Sequence, residues 1–206
     1  MKKVISLVLA VLLLVTALAG CGGSGEPAYE YLVSTESTVE SARFDFCFAV
    51  PENFFALTSD FLEMVNDDVL SELFGGEPEQ LFAEGDTEIA GEKYPLMKIV
   101  MLTDFESGQY ITFKVAETDA ATREEYFAEY ESSLPEGTTA GEPEEIRLSG
   151  LPGYSVELHQ DFAGTAFENQ IYFVLNDGYV LIINCSGAGS NDDAVDAVEE
   201  QLIHAA

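Results

Sequence analysis

Asn176-Asp177-Gly178-Tyr179-Val180-Leu181-Ile182-Ile183-Asn184-Cys185 is the stretch whose reading decides the fold. Asn, Asp and Gly tolerate positive φ, so the first three residues predict a tight hairpin turn. From Tyr179 to Ile183 the chain is apolar at odd and even positions alike, and a strand sends successive side chains to opposite faces. Both faces must therefore be covered, which makes this a central strand between packed layers. Working backwards, residues 144–148, 154–162 and 166–175 read as three more strands, so the last third of the chain is a meander. Beyond it, Asn191, Asp192 and Asp193 suit the positive end of a helix that buries Val195, Val198 and Leu202.

Upstream, residues 44–50 place Phe44, Phe46, Phe48 and Val50 on one strand face, and Pro51-Glu52-Asn53 breaks the run. Thr58 or Ser59 can cap a helix carrying Phe61, Leu62, Val65, Val69, Leu73 and Phe74, which stops at Gly75-Gly76. An acidic loop with one helical turn is expected over 77–93, then strands over 96–103 and 109–116. A helix over 119–134 carries Tyr126, Phe127, Tyr130 and Leu134 on one side and ends at Pro135-Glu136-Gly137. The order strand, helix, strands, helix, strands, helix predicts an α+β domain, a largely antiparallel sheet with helices packed on its faces.

The N-terminus speaks of location. Lys2 and Lys3 precede an apolar run over 4–19, which ends in Leu18-Ala19-Gly20-Cys21. That tetrapeptide resembles the lipobox of bacterial lipoproteins, whose cysteine is acylated and becomes the mature N-terminus. The resemblance implies a signal peptide over 1–20, lipidation at Cys21, and an outer-face position on the bacterial cytoplasmic membrane. At ~1.5 Å per residue the run reaches about 24 Å, short of the ~30 Å core that a spanning helix must cross. Residues 21–42, rich in Gly, Ser, Thr and Glu, read as a flexible tether with an r.m.s. span of about 25 Å. The alternation of Tyr29, Tyr31 and Val33 offers the alternative of an extra edge strand. The globular domain is expected over 43–206.

Several turn and core positions resemble the PsbP-like fold, which is also found in small bacterial lipoproteins. They are the aromatic strand into a proline over 46–53, the run Gly150-Leu151-Pro152-Gly153-Tyr154, the hairpin strand Asp177-Gly178-Tyr179-Val180 and the closing helix. The resemblance implies an α/β/α sandwich and a non-enzymatic binding or accessory module, with the 77–93 insert as a departure. A cystatin-like or other α+β sheet is the alternative.

Composition narrows the partners. The formal net charge is −30, and −32 once Lys2 and Lys3 leave with the signal. So few cations assemble no basic patch, which argues against nucleic acid and anionic polymers. The membrane is engaged through the lipid on Cys21, and an extracytoplasmic protein or small ligand is the expected further partner. No cofactor is expected. Cys47 and Cys185 each lie in an apolar strand pattern, where a thiol acts as a small core residue, with a disulfide between them as the alternative.

Catalytic patterns are sparse, so the reading is not an enzyme. Gly153-Tyr154-Ser155-Val156-Glu157 lacks the closing glycine of a nucleophile elbow. His204 reads as a solvated helix terminus, and Tyr110 and Tyr172 as exposed cross-strand packing. One constellation stands out: Glu157, His159 and Asp161 share a strand face with ~6.6 Å between neighbours. A two-residue loop at Ala163-Gly164 sets His159 opposite Glu168 and Glu157 opposite Gln170. These carboxylates around an imidazole are a candidate Zn²⁺ or Ca²⁺ site, and the alternative functional class is an acidic divalent-cation binder. The competing reading is a wet sheet face.

Overall fold

The computed structural model describes residues 28–57, 81–162, 165–187 and 190–204, with side chains at 161–168 and at 204 left aside. The lipobox, the tether up to residue 27 and the helix expected from Thr58 onward lie outside these residues. The meander forms as its turns require. Strands β10 (Glu144–Leu148), β11 (Leu151–Phe162), β12 (Thr165–Asn176) and β13 (Tyr179–Gly187) run antiparallel in sequence order. Asp177 and Gly178 adopt φ of 47° and 79°, and Ser149 and Gly150 adopt 48° and 84°. Two successive positive φ values match the right-handed strand twist, so each hairpin closes in two residues. Gly153 is obligatory for another reason: a Cβ there would lie 2.6 Å from the Phe173 carbonyl oxygen.

β13 continues into β8 (Gln109–Glu117), then β7 (Ile99–Asp104) and β4 (Phe55–Ala56). On the other side β10 pairs with β14 (Ile203–His204), and β9 (Thr138–Ala140) lies against β11. The nine strands and the helices α1 (Arg123–Ser132) and α2 (Asp192–Leu202) make an α+β fold with an antiparallel sheet covered on both faces.

The central strand divides its side chains as its two-sided apolarity demands. Leu181, Ile183 and Cys185 enter one core with Phe113, Tyr172 and Val198, closed by α2 and by a small sheet of β1 (Val33–Ser34), β2 (Thr38–Ser41) and β3 (Phe46–Ala49). Val180 and Ile182 face a second, thinner core with Tyr154, Val156 and Phe173, covered by Tyr126, Phe127, Tyr130 and Leu134. The edge of β3 is closed by Gln201 of α2, whose amide donates to the Ala49 carbonyl at 3.0 Å and accepts from its N–H at 2.8 Å.

Several expectations need correction. Leu32, Val33 and Val39 are fully buried, so the part of the expected 21–42 tether from residue 32 onward is packed into the core. The edge-strand alternative is the one realised there, because Leu32 bridges Met97 and β1 pairs with β2. Over 82–97 the expected acidic loop is a hairpin of β5 (Phe82–Ile89) and β6 (Glu92–Met97), turned by Ala90 and Gly91 at φ of 53° and 89°. The strand expected over 96–103 is divided at Lys98, where the chain changes partners. Its N–H donates to the Leu81 carbonyl and its own carbonyl accepts from Val115 N–H.

The helix expected over 119–134 is shorter than expected. α1 starts at Arg123 because the Thr122 hydroxyl accepts from Glu125 N–H at 3.1 Å while Glu125 accepts from Ala121 N–H at 2.9 Å, a reciprocal cap. Asn191 precedes α2 without capping it; its amide donates instead to the Cys185 carbonyl at 3.1 Å. Tyr172 is fully buried, with its hydroxyl donating to Glu199 at 3.0 Å, whereas Tyr110 is half-buried. Cys47 is exposed on the outer side of β3, since Phe46 and Phe48 take the core side, and no disulfide joins it to the buried Cys185. His204 belongs to β14 opposite Arg147 rather than to a helix terminus.

Candidate functional site

The long β11–β12 hairpin positions the candidate cation face. Register runs unbroken from Phe162 opposite Thr165 back to Gly153 opposite Val174, so His159 faces Glu168, Glu157 faces Gln170, and Asp161 faces Ala166. Residues 157 and 159 therefore share one face, the face that carries Ser155 and Tyr172 further along. Burial falls along it. Ser155 is buried and accepts a hydrogen bond from the Gln170 amide, while the Glu157 and His159 side chains are 72% and 52% exposed. α2 covers this face at Tyr172, through Glu199, and at Cys185, through the Ala194 carbonyl, and then runs on to β14 beside β10.

On this wet stretch His159 Nε2 and Glu157 Oε2 stand 3.8 Å apart. An exposed pair at that separation contributes about 0–1 kcal/mol. The backbone brings Glu168 and Asp161 to the same region, but their side chains lie outside the described residues. Among the described residues no group of three His, Cys, Asp or Glu side chains is placed to hold a metal ion. His204 takes no part: Arg147 opposite it pairs with Pro152, seven residues and so about 23 Å along β11 from His159.

The other reactive groups are engaged in structure. Ser155 lies in mid-strand, with its hydroxyl held by Gln170. Burial pushes the Cys185 thiol well above its ordinary range, reinforced by the Glu199 carboxylate, so it is neutral and unreactive at neutral pH. Burial likewise raises Tyr172, with Cys185 and Glu199 adding to the effect. Tyr126 is pushed up to about 12 by burial, then by Tyr130 and Glu129.

Two arrangements have no counterpart in the sequence reading. Arg43, its side chain almost wholly buried, lies 4.4 Å from the Tyr179 ring centroid and 3.1 Å from Glu30, and the Tyr179 hydroxyl also donates to Glu30. This clamps the N-terminal segment to the β12–β13 turn. At the other end of the sheet Phe55 and Phe105 are 59% and 71% exposed, with ring centroids 6.0 Å apart. A signal for the second existed: Asp104-Phe105-Glu106-Ser107-Gly108 is a turn composition with a phenylalanine inside it.

Comparison with known proteins adds likenesses of shape. No protein-family model matches the chain, and no curated protein sequence matches it. Among solved structures, cyanobacterial PsbP (CyanoP) from Synechocystis sp. PCC 6803 superposes with a TM-score of 0.48 at 13% identity, over 92% of this chain and 99% of that one. A protein of unknown function from Pseudomonas aeruginosa gives 0.41 at 12% identity, over 56% of this chain and 90% of its own. Likenesses this distant carry no functional argument, and the α+β class rests on the strand order itself.

Proposed function

We propose that this protein is a lipid-anchored, extracytoplasmic, non-enzymatic binding or accessory module, a member of the lipoproteins that share the PsbP-like sandwich. One observation carries the reading: the apolar run over 4–19 ends in Leu18-Ala19-Gly20-Cys21. A diacylglyceryl group on the Cys21 sulfur holds the chain on the membrane, because each buried CH₂ contributes ~0.8 kcal/mol and two acyl chains suffice for stable anchoring. The non-enzymatic part is supported by the state of the reactive groups, since Ser155 and Cys185 are committed to the sheet and its core. Labelling cells with a radioactive fatty acid tests the anchor. The wild-type protein should carry label and sediment with membranes, whereas Cys21→Ser should leave an unlabelled precursor. Mature protein beginning at Cys21 with an unmodified thiol would overturn the reading.

A second reading, a divalent-cation binder, is favoured by the register that sets Glu168 opposite His159. It expects saturable thermal stabilisation by micromolar to low-millimolar Ca²⁺ or Zn²⁺ in ~0.15 M NaCl. Loss of that response in both Glu157→Gln and Glu168→Gln would establish the site. A response no greater than general screening of the acidic surface would dismiss it.

A further inference from the structure

The two ends of the large sheet differ in chemistry. At the end formed by the β10–β11 and β12–β13 turns lie all three arginines of the chain. Arg43 stacks on Tyr179, Arg123 lies 4.8 Å from the Tyr154 ring centroid and donates to the Gly153 carbonyl, and Arg147 donates to the Gly150 carbonyl. The N-terminal segment leaves the domain here, because Glu30 is fixed to Arg43 and Tyr179, and the Tyr31 ring meets Tyr179 edge-on at 5.9 Å. Eight residues separate Cys21 from Glu30, about 30 Å at full stretch.

The opposite end is the turn between β7 and β8 with its surroundings. β8 and β13 pair from Glu117 opposite Tyr179 to Gln109 opposite Gly187, which puts Phe105 a full strand length from the tether exit, about 30 Å. No Lys or Arg occurs in 50–57, 104–110, 157–160, 169–170, 184–187 or 190–193, the described segments at this end. Glu52, Glu106, Asp192 and Asp193 are exposed there. Phe55 and Phe105 stand out among them, and the turn that carries Phe105 is rigidly held. The buried Asp104 carboxylate accepts from Glu106 N–H at 2.8 Å, from the Ser107 hydroxyl at 2.6 Å and from the Asn53 amide at 3.2 Å. The last bond ties the turn to the segment leading into β4, so both rings sit on one preorganised tip.

Resting on the lipid anchor proposed above, we propose that the Phe55–Phe105 tip is the docking surface for an extracytoplasmic protein that presents an apolar side chain between basic groups. The tether exit decides against the bilayer as occupant, because a domain tethered at its arginine end turns the aromatic tip outward. Residues 22–27 are mostly Gly, Ser and Glu and too few to reach it. A second copy of this chain would set two cation-free acidic rims against each other, so like charges oppose it. Lys and Arg flanking an apolar residue match both the rings and the rim, with cation–π contact available to either ring.

The test uses the full-length protein in its own cells, with photoreactive p-benzoylphenylalanine placed at Phe105 or, as the comparison, at Asp177. Irradiation at position 105 should give one discrete adduct with another protein, absent at 177, whose cross-linked peptide carries Lys or Arg beside an apolar residue. Phe55→Ser in the position-105 protein should lower the yield about tenfold. A synthetic copy of the captured peptide should bind the purified full-length protein, about tenfold more weakly after Phe105→Ser and more weakly in 0.5 M than in 0.15 M NaCl. Both substitutions replace exposed rings, and an unchanged Tm shows that folding is intact; if one variant melts early, the other decides. No adduct at 105, equal adducts at both ends, an adduct to lipid, or a dimer of this chain would overturn the proposal. Membrane fractionation separates the two readings: an adduct on protein found free of membranes sinks the anchor, and membrane-bound protein without the adduct sinks the docking surface.

Discussion

The two faces of the nine-stranded sheet are built to different depths. On the α2 side the core runs from Leu32 through Phe48, Phe113 and Leu181 to Leu202, nearly all without solvent exposure, and α2 and the small sheet together close over it. On the α1 side six of the described residues are buried, and none of the α1 residues that cover them is itself buried. The same strand, β13, feeds both faces, so the difference comes from the cover. The first face is closed by much of the fold, whereas α1 rests on aromatic rings alone and is expected to open more readily than the sheet.

That contrast can be broken most directly on β13 itself. Leu181→Asp puts an unpaired carboxylate into the deep core, which costs several kcal/mol, about the stability of a domain of this size. It should abolish cooperative unfolding and send the protein into aggregates. Ile182→Asp, one residue on and half-buried under α1, should leave a folded protein with a lowered Tm in the same calorimetric scan. Equal damage from the two would show that the faces are equivalent.

Ring truncations should sharpen the ranking. Phe113 packs on Phe46 and Phe48 with centroids at 5.8 and 5.2 Å, and Phe113→Ala is expected to cost about 3–5 kcal/mol in urea unfolding. Phe127 stacks on Phe173 at 5.9 Å but is only half-buried, so Phe127→Ala should cost about 1–2 kcal/mol. Thiol labelling of a Cys21→Ser protein gives a kinetic counterpart: Cys47 should react at once, and Cys185 only at the rate of global opening.

Smaller still is the α1 cap. Thr122→Ala removes the hydroxyl that accepts from Glu125 N–H and should cost ~1 kcal/mol. Hydrogen exchange should then accelerate across Arg123–Ser132 while β12 and β13 stay protected. The least effect is expected from Asp104, and it depends on pH. The Ser107 hydroxyl, then Glu106 N–H, holds its carboxyl below the usual carboxylate range, with Asn53 adding to them. A depressed folded pKa contributes stability above the unfolded value of about 3.9, and that contribution fades as pH falls through the folded pKa. Asp104→Asn should therefore shallow the loss of Tm below about pH 4 and leave the face contrast untouched.

Much of this was legible locally. Asn176-Asp177-Gly178 announced its hairpin, and counting back from Ala163-Gly164 placed His159 opposite Glu168, as the pairing has it. Thr122-Arg123-Glu124-Glu125 has the capping-box pattern, so the start of α1 is written in the chain itself. Cys47 was equally readable: with Phe46 and Phe48 inward, period two turns it outward. Ala90-Gly91 is a weaker turn signal than Asn-Gly or Asp-Gly, because alanine resists positive φ, so the β5–β6 hairpin has little local signature. The candidate site divides the same way, its register following from the turn and its exposure from the layers packed on the sheet.

Alternation, turn chemistry and the helical period are local properties, and through them the chain by itself determined the meander, the two-sided central strand, the α+β class and the apolar side of each described helix. Tertiary structure decided what has no local pattern. β4, β9 and β14 span two or three residues and exist because a longer strand offers them hydrogen bonds. Tyr172 is buried because α2 crosses it, and Glu30 meets Tyr179 across 149 residues of sequence. Contacts between residues far apart in sequence form only where the assembled layers repay the cost of closing the chain, and no window of neighbouring residues contains that balance.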